Sequence, residues 1–223
     1  MTRALFFSAI AKFSAGVILL AVLIFLPAGT LHYPQGWLLM GVLFIPMFLA
    51  GLVMMAKNPA LLKSRLNARE KEREQSMVIK LSGLMFLVGF VLAGLSFRFG
   101  WWMLPRWASL LGTALFLCSY ALYAEVLREN TWLSRTIEVQ EGQQVVSTGL
   151  YGIVRHPMYA VTLVLFLSMP LVLGAGLAFI VFLAYPFIIA KRIRNEEDVL
   201  LRELPGYAEY CQKVKWRLVP FIW

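Results

Sequence analysis

Gly149-Leu150-Tyr151-Gly152-Ile153-Val154-Arg155-His156-Pro157-Met158-Tyr159 is the stretch on which the fold turns, because a polar cluster there runs straight into the 33 apolar residues from Met158 to Ala190. As a single helix that segment would measure about 50 Å at about 1.5 Å per residue, well beyond a hydrocarbon core of about 30 Å. Pro170 and Gly174-Ala175-Gly176 interrupt it. The interruption predicts two shorter helices joined by a bend near 170–176, which makes 158–190 a membrane hairpin. Chemistry then sits at a membrane surface, and what precedes it serves as anchor.

Composition agrees. With 223 residues, 60% of them hydrophobic and 15% charged, and a mean hydropathy of +0.73, the chain is too apolar for a soluble domain of its size. Working back from the hairpin, four earlier spans are expected near 13–28, 37–56, 81–97 and 107–127, forming an N-terminal transmembrane region over 1–127. Arg3 and Lys12 precede the first span, but it reaches Leu26-Pro27 without a small-residue cleavage site, so a retained helix is expected rather than a signal peptide. His32-Tyr33-Pro34-Gln35-Gly36 is a turn, Pro46 a kink in span two, and the aromatic loop Arg98 to Arg106 suits an interface. The expected fold is all-α: a polytopic membrane bundle of four spans, a C-terminal hairpin of two short helices, and a helical tail over 191–223.

Charge orients the bundle. Nineteen of the 21 basic residues fall in the N-terminus, the Lys57–Lys80 segment, the stretch from Arg128 to Arg155 and the tail from Lys191; the exceptions are Arg98 and Arg106. All nineteen face the cytoplasm only if the last apolar segment enters the membrane and returns, because a single fifth span would put seven of them outside. The formal charge of +9 is thereby explained by cytoplasmic loops and anionic lipid, without nucleic acid. The expected protein is multi-pass, with N-terminus, catalytic loop and tail on the cytoplasmic side. The alternating run Arg69-Glu70-Lys71-Glu72-Arg73-Glu74 is that of a solvated interfacial helix or loop. Cys118 and Cys211 have the spacing of neither a disulfide framework nor a metal site.

Region 128–223, with the membrane hairpin 158–190 and the cytoplasmic tail 191–223, is expected to be the cofactor-binding, catalytic part of the chain. Glu138 to Val146 is a turn flanked by short extended pieces, Arg192 and Glu196 share a helix face four residues apart, Pro205-Gly206 stops that helix, and Tyr207, Tyr210 and Val214 share the next. Gly149-x-Tyr151, Arg155-His156-Pro157-x-Tyr159, Arg192-x-x-x-Glu196-Glu197-x-x-Leu200, Gly206-Tyr207-x-x-Tyr210 and Pro220 together resemble the isoprenylcysteine carboxyl methyltransferase family and the related membrane phospholipid methyltransferases. The resemblance covers the chain from Asn130 onward. It departs from the family pattern where Leu204-Pro205-Gly206 meets Tyr207 directly.

That resemblance implies a membrane methyltransferase using S-adenosylmethionine. It implies cofactor contacts at Gln143, Gln144, Val145, Val146, Tyr151, His156, Pro157, Met158, Tyr159 and Glu196, with Glu196 on the cofactor's ammonium. Arg192 corresponds to the family's substrate-binding arginine; Arg155 is a second candidate for holding the acceptor, and Glu197, Tyr207 and Tyr210 are further candidates for the pocket. A carboxylate acceptor, with a reference pKa of about 3.5, is ionised at neutral pH and needs alignment rather than a base. A phospholipid amine would need a base, for which His156 or a glutamate is available. In either case a lipophilic substrate enters from the bilayer between spans. A membrane reductase of the steroid-reductase type using NADPH stays open as an alternative, as does a non-enzymatic membrane protein. The methyl acceptor and the oligomeric state are not legible.

Overall fold

The computed structural model of the protein describes residues 3–57, 62, 73–133 and 139–223. Residues 69–72 of the alternating charge run and most of the Lys57–Lys80 segment lie outside the described residues, as do Arg135 and Glu138. Among those described, all regular elements are helical. Four long helices come first: α1 (Arg3–Ala28), α2 (Pro34–Lys57), α3 (Arg73–Phe99) and α4 (Arg106–Glu129). After a 3-10 turn at Gly149–Gly152 follow α5 (Pro157–Val172), α6 (Gly176–Phe182), α7 (Tyr185–Glu203) and α8 (Tyr207–Lys213).

Five segments are long and apolar enough to cross a membrane: Leu5–Ala28, Pro34–Lys57, Ser76–Phe99, Arg106–Glu129 and Gly176–Glu203. Pro157–Val172 is a shorter apolar helix beside them. The protein is a polytopic, all-helical membrane protein. Helices overrun the apolar stretches at their ends because a backbone leaving the hydrocarbon still needs its hydrogen bonds met, and flanking Lys and Arg stems reach to the interface.

The bend after α5 is a helix cap. Gly174 has φ +66; its N–H donates to Leu171 O at 2.9 Å and the Ala175 N–H donates to Pro170 O at 3.0 Å. That is the paired bonding of a Schellman ending, with glycine in the left-handed position. Pro170 therefore sits inside the last turn rather than breaking the helix. The second arm differs from expectation. Its break falls at Leu183-Ala184, just before Pro186, and α7 then runs unbroken from membrane into tail, so no boundary separates Ala190 from Lys191. No residue between 187 and 203 is Pro or Gly, so nothing stops the helix.

One end of the bundle is sealed by its turns. Tyr33 is fully buried, stacks on Phe97 and donates its hydroxyl to Leu173 O at 2.6 Å. The Leu104 N–H donates to Gly174 O and the Gly176 N–H to Trp102 O. Three turns thus meet there, which leaves 130–133, 139–159 and the tail at the opposite end. Close helix approaches rest on small residues: a Cβ added to Gly112 of α4 would stand 2.7 Å from Val172 N of α5.

Candidate functional site

Pro157 occupies the first turn of α5, where its missing N–H costs nothing. A proline disfavours helical geometry in the residue before it. His156 accordingly takes φ −124 and ψ 62. In that conformation the Arg155 N–H donates to Trp216 O at 2.8 Å and the His156 N–H to Arg217 O at 2.9 Å, binding the loop to the tail.

Helix α7 presents two faces here. Arg192, Glu196 and Leu200 are spaced by four, and Leu204 caps the same helix; all four line a pocket. Glu197, one position round, is buried behind it. Its carboxylate meets Arg217 Nε at 2.6 Å, Arg155 Nη1 at 2.9 Å and His156 Nε2 at 3.3 Å. A carboxylate this buried is tolerable because it is paired on several sides. The cluster fastens three chain segments: the loop, α7 and the stretch after α8.

On the pocket side, Arg192 Nε donates to Tyr159 Oη at 2.9 Å, and Tyr159 Oη donates to Glu196 Oε2 at 2.5 Å. The Arg192 guanidinium also lies over the Tyr159 ring, 5.9 Å from its centroid. His156 Nδ1 stands 4.0 Å from Glu196 Oε1. The imidazole thus lies between the two glutamates.

The remaining walls come from the loop and α8. Tyr210 donates its hydroxyl to Tyr151 O at 2.7 Å, tying α8 to the 149–152 turn. Gly142 has φ +75, as the turn before Gln143 needs, and the Gln143 N–H donates to Gln140 O. Gln140 also donates its side-chain amide to Trp132 O at 2.6 Å. Burial pushes the Tyr151, Tyr207 and Tyr210 phenols well above their ordinary pKa, so all three stay neutral. The Tyr207 hydroxyl is buried without a hydrogen-bond partner among the described residues. The Tyr151 hydroxyl feels Asn130 nearby but falls short of hydrogen-bond geometry with it.

Of the residues singled out from sequence, Gln143, Gln144, Val145, Val146, Tyr151, Arg155, His156, Met158, Tyr159, Arg192, Glu196, Tyr207 and Tyr210 line this one pocket. Pro157 and Glu197 do not. Pro157 is buried in α5 and Glu197 supports the wall from behind. The pocket also takes in Asn130, Trp132, Leu133, Leu200 and Leu204. Leu200 and Leu204 carry a readable signal, the continued spacing of four after Arg192 and Glu196. Trp132 has none, because nothing in a loop's pattern says which way its aromatic residue turns.

Fold and site together define a polytopic helical membrane protein with a polar pocket at one end of its bundle. Residues 110–202 match the Isoprenylcysteine carboxyl methyltransferase (ICMT) family, so the resemblance read from the motifs is borne out over that stretch. The match ends before α8, leaving Tyr207 and Tyr210 outside it. The fold is similar to that of a eukaryotic intramembrane Ras methyltransferase, isoprenylcysteine carboxyl methyltransferase, with a TM-score of 0.59 at 20% identity, covering 96% of this chain and 77% of that one. The chain is also 31% identical over 91 residues to the Delta(14)-sterol reductase of Mus musculus, and 24% identical over 135 residues to that of Methylotuvimicrobium alcaliphilum. Those matches cover 40% and 54% of this chain and only 22% and 32% of the two reductases.

Proposed function

We propose that the protein is a membrane methyltransferase that uses S-adenosylmethionine to esterify the carboxylate of a lipophilic, isoprenylcysteine-like acceptor. The observation that carries this reading is the Arg192–Tyr159–Glu196 chain, which sets a cation and an anion side by side in a pocket at the membrane edge. The pocket's donor set fits the cofactor. Glu196 would meet its ammonium, the Tyr207 hydroxyl, without a partner among the described residues, and the backbone of 143–146 offer hydrogen bonds, and Tyr151 and Tyr159 supply aromatic faces for a sulfonium.

When bound, S-adenosylmethionine would supply an electrophilic methyl group, its S–CH3 bond breaking with the electron pair left on a neutral thioether. The chain's own work is then positioning. Arg192, oriented by Tyr159, holds one oxygen of the acceptor carboxylate and leaves the other for attack. An ionised carboxylate gives up no proton, so no base is needed. The acceptor's apolar part enters between helices from the bilayer, and N-terminus, pocket and tail face the cytoplasm, where the basic residues cluster. An amine acceptor fits less well, because Arg155 and Arg192 are the pocket's fixed cations. A second reading, an NADPH-dependent sterol-type reductase, is favoured by the partial matches to two sterol reductases.

Equilibrium binding to detergent-purified protein separates the two. Saturable S-adenosylmethionine binding, lost in Glu196→Ala and His156→Ala, supports the methyltransferase. NADPH binding in its place would promote the reductase.

A further inference from the structure

We infer that Glu129, at the end of α4, is a positioning residue that sets the 149–152 turn and through it Tyr151; this rests on the methyltransferase reading for its consequence in binding. Two independent features meet at the Glu129 carboxylate. Oε2 accepts the Leu150 N–H at 3.0 Å. Oε1 occupies the space where residue 149 would carry its side chain: a Cβ built on Gly149 would fall 1.3 Å from it. Gly149 also has φ +52, a conformation that glycine adopts without strain.

The turn has other ties. Tyr210 holds Tyr151 O from the tail side, and the Ile153 and Val154 N–H groups donate to Leu150 O within the turn. None of these hydrogen bonds comes from the membrane bundle, whose own hold on the turn is the apolar packing of Tyr151 with Val126 of α4 and Val161 of α5. Glu129 alone among the described residues that hydrogen-bond to the turn belongs to a long spanning helix. It converts the position of α4 into the position of Tyr151, one residue beyond the bond it makes. The glycine at 149 is then explained by the carboxylate beside it as well as by its own backbone angle. Glu129 is not itself one of the residues that line the pocket, although its neighbour Asn130 is.

The test is a double-mutant cycle on the full chain in detergent, read by S-adenosylmethionine affinity and by thermal midpoint. Glu129→Ala is expected to weaken binding about tenfold, as loss of a hydrogen bond to a charged acceptor does. Glu129→Gln keeps an acceptor oxygen and is expected to stay within about threefold. Gly149→Ala alone is expected to weaken binding about a hundredfold or more, and to cost at least about tenfold less when added to Glu129→Ala, because the overlap is gone. Unchanged affinity in Glu129→Ala, or an equal cost of Gly149→Ala in both backgrounds, would overturn the inference. If wild type binds no S-adenosylmethionine, the methyltransferase reading fails. The thermal midpoints of the same four proteins then decide Glu129: coupling supports the anchor, and additivity removes it.

Discussion

Tyr159 is the residue on which both halves of the proposed chemistry depend, since one hydroxyl accepts from Arg192 and donates to Glu196. Tyr159→Phe keeps the ring and its position under the guanidinium but removes both bonds. The expected result is about a tenfold or greater loss of S-adenosylmethionine affinity, with acceptor KM raised as well, because hydrogen bonds to charged groups are worth about 1.5–3 kcal/mol. Titration calorimetry and initial rates would check the two effects separately. Tyr207 predicts differently. Its buried hydroxyl has no partner among the described residues, so Tyr207→Phe should leave the ligand-free melting temperature unchanged or raised while weakening the cofactor. The same phenols set an alkaline limit. Tyr151, Tyr207 and Tyr210 are raised by burial, so above about pH 10 the unfolded chain releases protons that the folded chain keeps. Stability is therefore full below that pH and falls as pH rises beyond it, and melting curves at pH 8 to 11 should fall less steeply for Tyr207→Phe. At this scale the motifs were legible and the bonds were not: spacing placed Arg192 and Glu196 on one face, but no local pattern says that Tyr159 stands between them.

Elements were legible wherever apolar length alone decides. A run of about 20 apolar residues has one low-cost state in a bilayer, which is why the first four helices were readable from Phe13 to Leu127. The bend at Gly174 was readable too, because glycine is the residue that a left-handed helix ending favours. The continuity of α7 was not. Apolar and polar halves of one helix look like two elements when hydropathy is the guide, and only the lack of a breaker after Pro186 argues otherwise. Packing between elements is equally silent in the sequence, since glycines at close approaches and at open surfaces share one letter. Gly112 and Gly83 separate the cases: a Cβ at Gly112 meets the backbone of α5 at 2.7 Å, and at Gly83 it meets nothing within 4 Å. Gly112→Ala is expected to cost about 1–3 kcal/mol, seen as a lowered melting temperature, whereas Gly83→Ala should not destabilise. Equal shifts would mean that the α4–α5 seam gives way freely.

For the whole molecule, the two ends of the bundle differ in kind. One end is closed by turns that bond each other through Tyr33, Leu104 and Gly176. The other holds the pocket, with loop and tail clamped through Glu197. Neither clamp was readable, because Arg217 lies 20 residues from Glu197 and 62 from Arg155 along the chain. Sidedness can be argued from charge alone, and the expectation it gives is that the pocket end faces the cytoplasm. The prediction is argued from energy: a translocated loop rich in Lys and Arg is disfavoured, and nineteen of 21 basic residues lie in segments assigned to one side. With Cys118 and Cys211 replaced by Ser, single cysteines at His32 and Lys213 report opposite ends. A membrane-impermeant maleimide added to intact cells should label His32→Cys and spare Lys213→Cys until the cells are opened. Labelling of Lys213→Cys from outside would invert the topology and move the pocket, with its acceptor, to the far side of the membrane.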